Sequence, residues 1–246
     1  MVVRRLKTQH IATLLGFIWT FITPLVLMGI FWFVFSVGFK VKPVENIPFI
    51  VWLMAGMSIW FFFSDVLNQS VGVVVEHGML IKKTIFPSQV LPLITILSNL
   101  VTHCVFLLLL SVLVFIYNMD FGFYDLQIMY YLFCTIVLLL GLGWALSALN
   151  VFARDVGQLV AVVLQVGFWV TPIFWNIEMI PERYHFWIKL NPVYYIVQGY
   201  RDSIINCIWF WQHPFLTVYF WTVTCICFVV GALVFRALKP QFADCL

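Results

Sequence analysis

Residues 168–202 read FWVTPIFWNIEMIPERYHFWIKLNPVYYIVQGYRD. The stretch is apolar and ring-rich, yet Pro172, Pro181 and Pro192 break it. Glu178, Glu182, Arg183, Lys189, Arg201 and Asp202 put charge into it. A straight membrane span needs about 20 mainly apolar residues, so this is not one. Nor is it an ordinary loop, because Trp169, Phe174, Trp175, Tyr184, Phe186, Trp187, Tyr194, Tyr195 and Tyr200 are too many large rings to leave in water. The physical option that remains is a pair of short helices that dip into one bilayer face and line a cavity. Irregular backbone survives at that depth only where protein or water satisfies it.

The rest of the chain supplies the scaffold. Of 246 residues, 64% are hydrophobic and only 9% charged, and the mean hydropathy is +1.06. Soluble domains are about 45–50% apolar and about 25% charged. Long apolar runs fill the sequence without strand-like alternation, so it reads as an all-α integral membrane protein. A net charge of +3 is too small to point to nucleic acid. The six cysteines form no framework. Cys104, Cys134, Cys225 and Cys227 sit in apolar runs, where Cys behaves as a small hydrophobe, and no Cys/His cluster has metal-ligand spacing.

Six transmembrane helices are expected, at 17–37, 48–68, 91–117, 127–150, 156–175 and 214–235, forming one transmembrane domain over 1–246. The apolar run from Phe17 is too long for a signal-peptide core and no small-residue cleavage site follows it, so it is read as retained. Pro24 predicts a kink in the first span. Residues 1–16 predict an amphipathic interface helix, with Val3, Leu6, His10 and Leu14 on one side and Arg4, Lys7, Thr8 and Gln9 elsewhere. A basic flank that only sets topology is the alternative. Residues 75–90 predict a short amphipathic helix outside the bilayer, with Leu80, Ile81 and Ile85 set against Lys82, Lys83 and Thr84. A plain basic loop is its alternative, against which Phe86-Pro87 and Leu91-Pro92 argue. Gly141, Ala145 and Ala148 predict a close helix–helix approach. Asp65 reads as a group near the interface or hydrogen-bonded at a helix contact before it reads as an ion site, and His103 as core packing or a hydrogen bond across helices before a catalyst.

Six spans place both termini on one side, and Lys and Arg give the orientation. Arg4, Arg5, Lys7, Lys82, Lys83, Arg154, Arg236 and Lys239 share the terminal side, whereas Lys40, Lys42, Arg183, Lys189 and Arg201 lie opposite. Cytoplasmic termini follow, with residues 168–202 facing outward.

Chemistry is sparse. There is no G-x-x-x-x-G-K-[ST] phosphate loop, no H-E-x-x-H and no G-x-S-x-G. A proton-driven carrier usually needs a chain of buried acids, and Asp65 stands nearly alone. If the protein moves something, the energy enters from a partner, and the amphipathic segment from Glu76 to Ile85 is the docking surface.

In order and spacing, several short pieces resemble the membrane permease of ABC-2-type exporters, in the branch that exports O-antigen, capsule and teichoic acid. They are Leu15-Gly16 with Trp19 and Pro24, Leu80-Ile81-Lys82-Lys83 with Phe86-Pro87 and Leu91-Pro92, Arg154-Asp155, Thr171-Pro172-Ile173, Pro181, Asn191-Pro192 and Tyr200-Arg201. Gln9-His10 departs from the Arg-Tyr frequent in that family. The resemblance implies an exporter of lipid-linked polysaccharide, O-antigen first, in a bacterial cytoplasmic (inner) membrane. It implies a homodimer working with two copies of a cytoplasmic ATPase that binds ATP and Mg, no cofactor in this chain, and a glycan on polyprenyl diphosphate as cargo. Residues 75–90 become the coupling helix, with Glu76, His77, Lys82 and Lys83 meeting the ATPase. Residues 179–206 become two outward gate helices, about Ile180–Leu190 and Pro192–Ile205.

Sugar rings carry apolar C–H faces and polar edges, which aromatic side chains with polar tips can grip weakly. Trp169, Phe174, Trp175, Tyr194 and Tyr195 are the candidates for the substrate path, although rings also form interfacial belts. Arg201 and Asp202 are expected at the gate, paired with each other's neighbours or with Glu182 and Arg183. Arg4, Arg5 and Lys7 are candidate contacts for the lipid diphosphate. The rival cargoes are a drug or a small lipid. A membrane-embedded transferase is the rival class, and it would need a clustered site that the scattered His10, His77, His103, His185 and His213 do not offer.

Overall fold

The computed structural model describes residues 19–40, 47–83, 87–119 and 122–245. The expected interface helix, with Arg4, Arg5 and Lys7, lies outside the described residues, as do Lys42, Phe86 and the side chain of Lys83. Among the described residues the fold is helical throughout. α1 (Trp19–Trp32) passes into a wider π-helical stretch, Phe33–Gly38. α2 (Phe49–Glu76) and the short α3 (Gly78–Lys83) follow. Next come α4 (Leu91–Ile116), α5 (Gln127–Phe152) and α6 (Asp155–Val170). Then come α7 (His185–Lys189), α8 (Pro192–Arg201), α9 (Pro214–Leu238) and the terminal turn α10 (Phe242–Cys245).

Among the described residues, five helical segments are long and apolar enough to cross a membrane: Phe21–Gly38, Phe49–Glu76, Ser88–Ile116, Phe123–Phe152 and Pro214–Gln241. The expected span at 156–175 is shorter. α6 stops at Val170 because Thr171 precedes Pro172 and is extended, with φ −74° and ψ 131°. A residue before proline is pushed out of the helical region by the proline ring. Sixteen residues rise about 24 Å, less than the roughly 30 Å hydrocarbon core.

α2 is the axis of the bundle. It packs against α4, α5, α6 and α8, and Val51, Ala55, Met57, Val66, Val73 and Val74 on it are fully enclosed. Its 28 residues rise about 42 Å, so it outruns a bilayer core. Its last turns enter a second apolar cluster of Val73, Val74, Leu91, Ala148, Val151, Phe235 and Phe242. The expected helix at 75–90 is therefore divided. Glu76 closes α2, His77 breaks the helix just before Gly78, and α3 is a separate element that ends ahead of Pro87.

Two ends of the bundle follow from the chain path. One, the basic end, gathers α3, the α5–α6 turn and α10. The other, the aromatic end, holds residues 171–213. α9 lies along α5 because Gly141 and Gly231 let the two backbones touch. A Cβ on Gly141 would stand 2.6 Å from Phe228 Cα, and one on Gly231 would overlap the Gly141 carbonyl. The small-residue signal in 141–148 marked this contact; its partner Gly231 gave no signal.

Candidate functional site

The site is the folded-back element between α6 and α9. After Thr171 the chain turns through Pro172 and Ile173 and makes single helical turns at Ile177–Met179 and Glu182–Tyr184. It then enters α7 and α8. Asn191 starts α8 by accepting from Val193 N–H at 3.0 Å, with Pro192 in the first helical position. That is the ordinary use of Asn as a cap and of Pro where no N–H is needed. The same Asn191 donates through Nδ2 to Thr171 Oγ1 at 2.8 Å, tying the start of α8 to the end of α6.

Arg201 closes this loop from the other end of α8. It is buried, at 2% exposure. Nη1 donates to the Pro172 carbonyl and Nη2 to the Ile173 carbonyl, each at 2.6 Å. The guanidinium carbon lies 3.4 Å from the centre of the Trp52 ring on α2. Gly56, one turn further along α2, makes the room, since a Cβ there would stand 2.7 Å from Nη2. Burial pulls the guanidinium pKa down from its usual value, and the nearby Tyr194 and Asp202 push it part of the way back. A planar fork stacked on an indole with both arms on carbonyls is a task for Arg and not for Lys.

This overturns the expected pairing of Arg201 with the acidic side of the gate. Glu182 and Arg183 are exposed, and Arg183 lies over its neighbour Tyr184, 4.7 Å from the ring centre. Asp202 accepts from Gln198 Nε2 at 3.0 Å and Asn206 Nδ2 at 2.8 Å, with His213 Nε2 3.8 Å away. Burial pushes the Asp202 carboxyl up, and those two amides pull it part of the way back. The helix expected at about Ile180–Leu190 is also shorter, five residues at His185–Lys189.

Hydroxyls and rings bind the element to the spans. Trp221 Nε1 donates to Tyr130 Oη at 2.9 Å, Tyr130 and Tyr195 hydroxyls meet at 3.2 Å, and Tyr195 Oη meets Thr217 Oγ1 at 3.0 Å. Tyr219 Oη donates to the Leu190 carbonyl at 2.6 Å. Gln127, at the head of α5, donates to the Ile208 carbonyl at 3.0 Å and accepts from Phe210 N–H at 2.7 Å. His103 Nε2 meets Tyr200 Oη at 2.9 Å, so His103 is the cross-helix hydrogen-bonding group that its isolation suggested. Gly199 lets α8 press on the Tyr131 ring, which a Cβ would overlap.

The five path candidates separate. Phe174 is buried in a ring cluster with Phe31, Phe35, Phe168 and Trp169, at centroid distances of 5.9, 5.0, 5.7 and 5.0 Å. Trp169 is 54% exposed, and Trp175 Nε1 donates to its carbonyl at 3.2 Å. Tyr194 and Tyr195 are buried where α8 meets α5 and α9. The coupling candidates lie at the opposite, basic end. Glu76 ends α2, His77 Nδ1 is 2.9 Å from the Val73 carbonyl, and Lys82 is exposed on α3. Trp52, Gly56, Gln127, Tyr130 and Thr217 were not singled out from the sequence. Each looks like ordinary span residue content until its partner is in view.

No group of three His, Cys, Asp or Glu side chains close enough to hold a metal occurs among the described residues. The arrangement can hold, stack and hydrogen-bond.

Residues 1–205 match the family model described as ABC-2 type transporter. The chain is 27% identical over 242 residues to the O-antigen export system permease protein RfbA of Klebsiella pneumoniae, covering 98% of this chain and 91% of that one. It is 26% identical over 257 residues to RfbA of Myxococcus xanthus, covering 99% and 93%. It is 23% identical over 208 residues to the polysialic acid transport protein KpsM of Escherichia coli, covering 82% and 78%. With most of its length inside that match and five apolar helices among the described residues able to cross a bilayer, the chain belongs to the ABC-2 type transporter family as a multi-pass membrane transport subunit.

Proposed function

We propose that the chain is the permease half of an ATP-driven exporter of lipid-linked polysaccharide, with O-antigen the first choice of cargo. The observation that carries the reading is the folded-back, proline-broken element at the aromatic end, locked to α2, α5 and α9 by rings and hydroxyls. Two relatives similar to it over nearly their whole length are O-antigen export permeases by name. In this reading the basic end is cytoplasmic, the membrane is a bacterial inner membrane, and α6 completes a sixth crossing with the Thr171–Trp175 turn. α7 and α8 are then the outward gate helices. The exposed apolar faces of α1 and α6, with Val26, Ile30, Val34, Leu159, Val162 and Val166, suit a second copy of this chain, and α3 with Glu76, His77 and Lys82 suits the ATPase, two copies per dimer.

The geometry offers a coupling route. Gly56 and Glu76 are 20 residues apart on one helix, about 30 Å. A push on α3 turns α2 as a rod, and the far end of that rod carries Trp52 and Gly56, on which Arg201 rests. The α6–α8 turn would move with it. Isolation of the tagged chain from native membranes tests the proposal. A soluble ATP-binding subunit should co-purify, and loss of this chain should leave lipid-linked glycan inside the cell. Normal surface glycan in a deletion strain, or stimulation of the complex by a drug or short lipid but not by lipid-linked glycan, would refute it.

A further inference from the structure

Beside the Arg201 clamp, α8 and the start of α9 leave a cavity of about 120 Å³. At a liquid share of roughly 30 Å³ per water it has room for about four waters, enough to take one edge of a sugar ring whose remainder lies at the open mouth. Its walls are of two kinds. Tyr131, Tyr194, Tyr195 and Leu216 supply apolar surface, whereas Gln198, Asp202 and His213 supply polar atoms, with Lys189 at the mouth.

The polar wall is incompletely used. Asp202 Oδ1 is occupied by Gln198 and Asn206. Oδ2 has His213 at 3.8 Å, beyond hydrogen-bond reach. The Asp202 side chain is only 4% exposed, so bulk water does little for it. Tyr194 donates its backbone N–H to the Asn191 carbonyl at 3.0 Å, but its hydroxyl, on the cavity wall, has no hydrogen-bond partner among the described residues. An apolar ligand would strand these groups at a cost of about 1–3 kcal/mol each. A ligand with several hydroxyls would satisfy them, and the tyrosine rings would take its C–H face. An anionic ligand would set its charge against the buried Asp202 carboxylate, whose basic neighbours are His213 at 3.8 Å and an Arg201 guanidinium already held on the Pro172 and Ile173 carbonyls.

We propose that this cavity is a binding subsite for a single neutral hexose unit, with hydroxyls toward Asp202, Gln198 and Tyr194 and a C–H face on the tyrosine rings. The subsite deepens the polysaccharide reading and rests on it for its biological sense. Its location explains why Tyr194 and Tyr195 are turned toward α9 and not into the gate's own Phe cluster.

Saturation-transfer NMR on the purified full-length chain in lipid nanodiscs tests it. The probes are the methyl glycosides of mannose, galactose, N-acetylglucosamine and glucuronic acid. At least one neutral glycoside should receive saturation with millimolar affinity, and the glucuronide should not. Leu216→Trp fills the cavity and should abolish the signal. Tyr194→Phe removes one hydroxyl and should weaken binding roughly 3–10-fold. Should Leu216→Trp not fold, Tyr194→Phe decides. Absence of transfer to every neutral glycoside, equal transfer to the glucuronide, or wild-type binding by the Tyr194 variant would each overturn the subsite. No ATPase or export step enters this measurement. An exporter with a silent cavity therefore loses only the subsite, and a sugar-binding chain without an ATPase partner loses only the exporter reading.

Discussion

Replacing Arg201 with Ala should loosen the aromatic end more than any other single change there. Two charge-assisted hydrogen bonds to carbonyls vanish, each worth about 1.5–3 kcal/mol. A desolvated contact with Trp52 goes as well, worth about 2 kcal/mol. Against this, a cation without a carboxylate partner no longer has to be kept from water, which returns several kcal/mol. The net loss should be about 2–4 kcal/mol. For a chain of this length that corresponds to a drop of roughly 5–12 °C in the melting midpoint, read at a fixed scan rate because membrane proteins unfold irreversibly. Arg201→Lys should recover little, since an ammonium cannot hold both carbonyls and stack. The discriminating variant is Gly56→Ala. Its methyl would meet Nη2 at 2.7 Å and displace the guanidinium, so it should cost about 1–3 kcal/mol alone. In the Arg201→Ala background only the Ile173 carbonyl, 3.3 Å from that position, still presses on the methyl, and Gly56→Ala should then cost under about 1 kcal/mol. A cycle in which the two losses simply add, or an Arg201→Ala variant melting within about 2 °C of the parent, would refute the clamp.

Three further outcomes follow from the packing. Gly231→Leu should abolish accumulation of folded protein, because the new side chain would occupy the Gly141 backbone; membrane-fraction yield checks it, against a Val230→Leu control on the exposed face of α9. Phe242→Ala should release the terminal turn from the basic-end cluster, a loss of about 3–5 kcal/mol for a buried Phe that limited chymotryptic digestion would report as faster cleavage after Leu238. Tyr195→Phe should cost only about 1–2 kcal/mol, the hydroxyl bridge from Tyr130 to Thr217. Thermal melting would read it, and a shift as large as that of Arg201→Ala would contradict the assignment.

The primary sequence by itself determined the solvent and the breaks. Transfer of apolar residues into a bilayer is a sum over neighbours in the chain, so the positions of α1, α4, α5 and α9 and the start of α2 were legible within a few residues, whereas α2 runs on to Glu76, well past the expected end at 68. Proline acts on its own neighbour, so the end of regular structure near Thr171-Pro172 and the start of α8 at Asn191-Pro192 were legible too. What Arg201 does was not. Its charge, read along the chain, pointed to an acidic partner nearby; in three dimensions the nearest groups are carbonyls about 30 residues earlier and an indole on α2. Likewise Gly141 announced a close approach without naming Gly231, and Asp202 found its company one turn either side and across on α9. A buried polar group is settled by whatever lies within about 3 Å of it, whichever part of the chain that comes from. The sequence therefore determined that this chain is a multi-pass helical membrane protein whose regular structure breaks near Pro172; only the tertiary structure decided which side chains hold that fold in place.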